Sequence, residues 1–299
     1  MNNNKIIVFF HIFYVHLIDE YLWYIDNIKK SNYDFDFYVS ICKEVYNDDV
    51  KNKLVDFKSD VIITISENRG ADIGGFFHTI RNNKINIDNY CACMYLHTKE
   101  SKHFGELTSY IWRGQLLNDT LLTPDLVNYC VDEIKKNTGL IGSSRCINLI
   151  SKFLTNPDEI IHYKNLCQRL NLNLNSSYFI AGTIFWCNPK IIKNIINSNI
   201  NISDFEPGFA HNGLLAHAFE RIFGNISTNL KLPIVGIYLD IESRVYHLKT
   251  ILSNLTYENK HIFKINDNNI IIPNQENIIK IDTENRIKKN KAIFRNSKK

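Results

Sequence analysis

The chain has 299 residues, 44% hydrophobic and 22% charged, an ordinary globular balance that allows one large α/β domain with or without an extension. Its net charge of +4 is concentrated near the end, where Arg286, Lys288, Lys289, Lys291, Arg295, Lys298 and Lys299 crowd together, so no basic folded face for nucleic acid is expected. The seven cysteines (Cys42, Cys91, Cys93, Cys130, Cys146, Cys167 and Cys187) lack zinc-like pairing and read as buried, reduced thiols of a reducing compartment.

The apolar run Ile6–Phe10 is broken by His11 and His16 and has no small-residue cleavage site, so Lys5–Phe13 reads as a buried first strand rather than a leader. Asp19–Lys30 reads as a helix, with acids first, Lys29 and Lys30 last, and Tyr21, Leu22, Ile25 and Ile28 on one face. Strands at Phe35–Ile41, Val61–Ile65 and Tyr90–Leu96 alternate with helices at Asn47–Phe57 and from Asp72 or Gly74 to Arg81. Cys91 and Cys93 would share a face of the Tyr90–Leu96 strand. Strand and helix alternate through short connections, which predicts a mostly parallel sheet. Helices follow at Tyr110–Leu117 and Pro124–Lys136, a short strand at Leu140–Ser143, and a helix at Asp158–Leu170. Phe179–Trp186 reads as one apolar strand, followed by helices at Pro189–Ser198 and Gly213–Phe223 and a late strand at Val235–Leu239. Beyond about residue 250 the patterning weakens, with an edge strand at Asn269–Pro273 and a loose or amphipathic basic tail. There is no internal repeat and no run of eighteen apolar residues, so no membrane span is expected.

Two strand ends carry the chemistry. After the third strand, Asn68-Arg69-Gly70 offers a tight turn at Gly70, a guanidinium, and the N-terminus of the next helix, which together suit a phosphate. Asp72 is placed either to take a sugar or ribose hydroxyl or to cap that helix, and Gly74 and Gly75 would admit a ligand close to the backbone. After the fourth strand stands His97-Thr98-Lys99, where the ammonium of Lys99 can neutralise a leaving diphosphate and His97 can hydrogen-bond it. His11, at the end of the first strand, reaches the same crevice. Trp112 offers an apolar face to a sugar ring, and Arg113 a phosphate clamp. Gly182 and Thr183 interrupt a strand where a ligand would approach. Glu206, His211, His217 and Glu220 are candidates for a proton-accepting base. Each also has a plain structural reading: a capping Asp, a packed His, a core-facing Trp, or a Glu paired with an Arg.

Taken in order, HIFY at His11–Tyr14, ENRGADIGGFF at Glu67–Phe77, YLHTKES at Tyr95–Ser101, Trp112-Arg113, FIAGTIFWCNP at Phe179–Pro189 and LLAHAFERIFG at Leu214–Gly224 resemble the rhamnan synthesis protein F family of bacterial polysaccharide glycosyltransferases. The set covers about residues 5–225. Two departures stand out: Ala71 where family members often carry Arg, and Asn212-Gly213-Leu214 where they often read Asp-Gly-Thr. The second weakens Asn212 as a base and leaves Glu206 or Glu220.

The resemblance implies an α/β fold, a GT-A-like, Rossmann-type, mostly parallel sheet flanked by helices, over residues 1–250, with residues 251–299 as a C-terminal extension. It implies inverting transfer from a nucleotide-sugar donor to a glycan or lipid-linked acceptor in O-antigen, capsule or rhamnan-type polysaccharide synthesis. In that reading His11, Asn68, Arg69, Gly70 and Asp72 hold the donor diphosphate. His97 and Lys99 stabilise the leaving group, and Glu220 or Glu206 is the base. Trp112, Arg113, Gly182, Thr183 and His217 meet substrate. With His-Thr-Lys where such enzymes often carry paired carboxylates, no metal is expected to be essential, Mg or Mn remaining optional. The protein would be cytoplasmic, with peripheral contact to the inner membrane face through its basic tail. The competing reading is a non-catalytic glycan-binding or assembly subunit of the same fold. A phosphotransferase is disfavoured because no P-loop is present.

Overall fold

A computed structural model describes residues 4–100, 105–174, 177–208, 213–239, 261–266 and 269–271. The elements in chain order begin β1 (Lys5–Ile12), α1 (Ile18–Lys29), β2 (Asp34–Cys42), α2 (Asp48–Phe57), β3 (Ile62–Ser66), α3 (Ala71–Asn82) and β4 (Ala92–His97). Next come α4 (Glu106–Leu121), α5 (Pro124–Lys135), β5 (Leu140–Ser143), β6 (Ile147–Leu149), α6 (Ile150–Phe153) and α7 (Pro157–Arg169). The remainder are β7 (Tyr178–Ile180), β8 (Phe185–Cys187), α8 (Pro189–Ile196), α9 (Leu215–Asn229), β9 (Ile234–Tyr238), β10 (His261–Asn266) and β11 (Asn269–Ile271).

Nine strands form one sheet in the order β11-β10-β9-β5-β8-β4-β1-β2-β3. β1, β2, β3 and β4 are mutually parallel, as the strand-helix alternation predicts, and only β8 and β10 run against the other strands. Phe10 stacks on Tyr21 of α1 with centroids 5.3 Å apart, which places α1 on one face of the sheet. Phe9, the preceding residue, points the other way and meets Phe76 of α3 edge-on at 5.1 Å. On that second face Tyr95, Phe185, Phe219 and Phe223 continue an aromatic layer between the sheet and α9.

The predicted strand Phe179–Trp186 is two strands. β7 pairs with β6 in a small separate sheet, whereas β8 enters the main sheet between β4 and β5. The break falls at Gly182 (φ +97°) and Thr183 (φ +47°), a left-handed turn that ends any ladder. β6, α6 and β10 have no counterpart among the predicted elements: the first two are 3 and 4 residues long, too short for periodicity to register. All seven cysteines are free thiols, and Cys91 alone among them is half-buried. Among the described residues no helix is long and apolar enough to cross a membrane. The basic tail at 284–299 lies outside the described residues.

Arg81, at the end of α3, ties the second face together. Its guanidinium donates to the carbonyls of Ile196 (2.6 Å), Ser198 (2.9 Å) and Ile200 (2.7 Å), the end of α8 and the turn after it. A cation on otherwise unpaired helix-end carbonyls is a C-terminal cap supplied from another helix. Arg81→Ala leaves those carbonyls without a charged donor and is expected to lower stability by on the order of 2 kcal/mol. The urea midpoint of unfolding reads this directly, and an unchanged midpoint would show that water replaces the guanidinium without loss.

Candidate functional site

From β1 the chain steps outward to β2 and β3, then returns to place β4 on the other side of β1. Carboxyl ends of adjacent parallel strands diverge at such a switch point and leave a crevice. The side chains at that edge are set by register: Ser40 of β2, His11 of β1 and His97 of β4 are successive Cα partners. His11 Nδ1 lies 2.9 Å from Ser40 Oγ. Burial lowers the His11 pKa to about 4, so its ring is neutral at ordinary pH. His97 Nε2 donates to the Gly182 carbonyl at 3.1 Å and lies 3.3 Å from Thr183 Oγ1. Its pKa is also pushed down by burial, against the pull of Asp72.

Asp72, in the first turn of α3, stands 3.9 Å from His97 Nε2. It accepts from Tyr95 Oη at 3.3 Å and from the Thr183 hydroxyl. Burial raises its pKa, but His97, the Thr183 hydroxyl, His11 and Lys99 together outweigh that, and the carboxyl is held below its ordinary value. Helix capping is therefore not its role; the cap position is Gly70, and the Asp72 side chain turns into the crevice. Lys99 places its ammonium 4.1 Å from the centre of the Trp112 ring. Burial pulls its pKa down, partly offset by Glu220 and Asp72. Glu220 of α9 accepts the Gly182 N–H at 2.6 Å through Oε1 and the Arg221 guanidinium at 2.6 Å through Oε2. The result is a mostly buried polar cluster of His11, His97, Asp72, Thr183, Lys99 and Glu220, with Trp112 as a wall.

Other expected site residues are engaged elsewhere. The Arg69 guanidinium donates to the Phe205 carbonyl and sits 3.7 Å from Glu67, so it braces the 205–208 loop. Main-chain bonds do the same: Gly70 (φ +68°) donates to the Glu206 carbonyl at 3.1 Å, and Asn68 accepts from Gly208 at 2.8 Å. Arg113 is not a free phosphate clamp. It grips Glu20 through Nε at 3.1 Å to both oxygens and donates to the Lys99 carbonyl at 3.2 Å, tying α4 to α1. Glu206 spans the start of α9, accepting from Leu215 N at 3.1 Å, and lies 3.4 Å from His162. His217 accepts from Leu214 N at 3.4 Å, and burial lowers its pKa. Trp112 presents no bare face to the cluster, because Lys99 covers it and its indole N–H donates to Cys146 Sγ at 3.3 Å. Gly74 and Gly75 admit protein rather than ligand. A Cβ at Gly74 would lie 1.6 Å from the Arg69 carbonyl oxygen, and one at Gly75 would lie 2.0 Å from His11 Nδ1. His211 and Asn212 lie outside the described residues.

Sequence reading missed Ser40, Tyr95 and Arg221. Alternation would have found Tyr95, two residues before His97 and so on the same face. Ser40 needed the β1–β2 register, and Arg221 needed its partner Glu159, 3.0 Å away and 62 positions earlier in the chain.

A comparison with protein-family models matches residues 1–231 to rhamnan synthesis protein F. The chain belongs to the rhamnan synthesis protein F family. That match spans every residue of the crevice, from His11 to Glu220, and stops before β9. Membership supports a part in polysaccharide biosynthesis. Relatives include the uncharacterized protein WxcX of two strains of Xanthomonas campestris pv. campestris, each 28% identical over 161 residues. Those alignments cover 53% of this chain and 22% of the relatives' length. Among the described residues of this family member, no group of three or more His, Cys, Asp or Glu is arranged to hold a metal ion.

The neutral state of His11 has a stability consequence. An unfolded histidine takes up its proton near 6.5, whereas the folded one resists until about 4. The folded pKa is depressed, so this contribution is whole above about pH 6.5 and is lost as pH falls toward 4, by on the order of 3 kcal/mol. Thermal midpoints measured from pH 7.5 to 4.5 are expected to fall more steeply for the unmodified protein than for His11→Gln. Parallel curves would contradict a buried neutral His11.

Proposed function

We propose that this protein transfers a sugar from a nucleoside-diphosphate donor to a growing cell-surface polysaccharide, with inversion, on a GT-A-like domain. One observation carries the reading: two residues beyond the in-register row of Ser40, His11 and His97 at the switch point, Lys99 sets an ammonium close enough to Asp72, His97 and Glu220 to act on their charge. A crevice at that edge is where open α/β sheets take nucleotides. Departure of the nucleoside diphosphate leaves negative charge, and a positioned cation in a low-dielectric site lowers the barrier to it. Lys99 supplies that charge from within the chain, which removes the need for a divalent ion at the same point. His11 and His97, neutral and hydrogen-bonded, contribute polarity without adding charge. Arg69, braced on Phe205, shapes the loop before α3, whose N-terminus favours an anion.

The donor would be a nucleotide sugar and the acceptor a glycan or lipid-linked glycan. The protein would then work in the cytoplasm at the inner membrane face, its basic tail drawn to anionic lipid. A second reading, a non-catalytic glycan-binding or assembly subunit, draws on the engagement of Arg113 and Glu220 within the protein itself. Donor hydrolysis or transfer by the purified protein excludes it.

Lys99→Ala is expected to lower kcat/KM about 100- to 1000-fold while leaving the fold intact. Activity of the unmodified protein is expected to survive exhaustive chelation. Strict dependence on Mn or Mg would overturn the role given to Lys99, and transfer unaffected by Lys99→Ala would overturn the site.

A further inference from the structure

The two carboxylates of the cluster differ in what they still have to give. A carboxylate accepts about four hydrogen bonds. Glu220 gives one oxygen to the Gly182 N–H and the other to Arg221, both at 2.6 Å, so each of its oxygens is held short and firmly by main chain or counter-ion. Asp72 receives only weak or neutral contacts: the Tyr95 hydroxyl at 3.3 Å, the Thr183 hydroxyl, and His97 at 3.9 Å. Among the described residues no shorter ion pair reaches it, yet 15% of its side chain stays exposed. It is a carboxylate at the switch point whose hydrogen-bonded partners are hydroxyls and which has accepting capacity left over. The groups that suit it are further hydroxyls, because an amine would compete with Lys99 and a phosphate would be repelled.

We propose that Asp72 accepts hydroxyl groups of the donor sugar and so selects the sugar, while Glu220 is a positioning residue that locks the Gly182–Thr183 turn against it. This rests on the glycosyltransferase reading and departs from an assignment of Asp72 to the diphosphate. Thr183 links the two parts. Its left-handed backbone (φ +47°) is held by Glu220 through the preceding residue, and this aims its hydroxyl at Asp72. An acceptor pair of this kind favours sugars with a hydroxyl at the matching carbon and disfavours their deoxy forms, since a buried carboxylate left without its partner is costly.

The test compares a bare nucleoside diphosphate with its sugar-bearing form. Dissociation constants are measured by calorimetry for UDP, GDP and dTDP and for UDP-glucose, GDP-mannose and dTDP-rhamnose, on the full chain and on Asp72→Asn. The unmodified protein is expected to bind one of the sugar nucleotides about 10- to 100-fold more tightly than the matching diphosphate. In Asp72→Asn that advantage is expected to vanish while diphosphate affinity stays within about threefold. Loss of both affinities would assign Asp72 to the diphosphate and overturn the proposal, as would an unchanged advantage. If Asp72→Asn does not fold, Asp72→Ser is measured in the same way. A full chain that binds none of the six compounds would overturn the glycosyltransferase reading itself, a result distinct from loss of the sugar advantage alone.

Discussion

The main chain of Gly182 is held from two sides, and the site depends on that grip. Its N–H is taken by Glu220 of α9 and its carbonyl by His97 of β4, so one residue joins a helix, a strand and the junction between the two sheets. Glycine suits the position because φ is +97°, a backbone conformation in which any L side chain is strained. With the turn fixed, the Thr183 main chain is held where its hydroxyl reaches Asp72. The His97 ring is fixed as well. Because its Nε2–H serves the Gly182 carbonyl, the neutral ring carries its proton on Nε2.

Charges gather around this turn in a way that a purely structural core would avoid. Ionised groups out of water are costly unless matched, and the match here is incomplete. Lys99 has lost part of its hydration, and Trp112 returns some of it through the ring face. Asp72 lies close enough to Lys99, His97 and His11 to be influenced by each of them, but among the described residues the one basic group within ion-pair distance is the neutral His97 ring, 3.9 Å away. By contrast, Asp119, with no exposed side-chain surface, is fully matched by Ser143 at 2.6 Å, Arg145 at 3.1 Å and the Leu239 amide at 3.2 Å. Asp119 is closed by its partners, whereas Asp72, at the switch point, keeps accepting capacity.

Local pattern alone makes most of the fold legible. Alternation of apolar strands with capped helices sets the order through β4, because each element there is long enough to show its period. It fails at Phe179–Trp186, where two short strands of different sheets abut and every residue is apolar apart from the turn. The site is legible in part for the same reason. Strand-end residues such as His11, His97 and Lys99 take their positions from the strands themselves. Arginines do not: Arg69 and Arg113 look like phosphate ligands until their partners, Phe205 and Glu20, are known, and those lie 136 and 93 positions away in sequence. A guanidinium reaches so far from its backbone that sequence position says little about which acceptor it meets.

Under the proposed function, this division also separates two kinds of recognition. The first hundred residues supply Asp72, the two neighbouring imidazoles and the ammonium, and under that function the imidazoles and ammonium would serve many nucleotides. The later half supplies the Gly182–Thr183 turn and Glu220, which close one wall and orient the acceptors around Asp72. On the same proposal, a change at His11, His97 or Lys99 therefore bears on whether a diphosphate is held at all. A change at residues 182–183 or 220 would then bear on the sugar attached to it, because Glu220 holds the turn that presents Thr183 to Asp72. Selectivity under the proposed function rests on Asp72 together with the turn that presents Thr183 to it, and the turn is the part that is hard to read, since a turn that breaks a strand leaves no periodic trace.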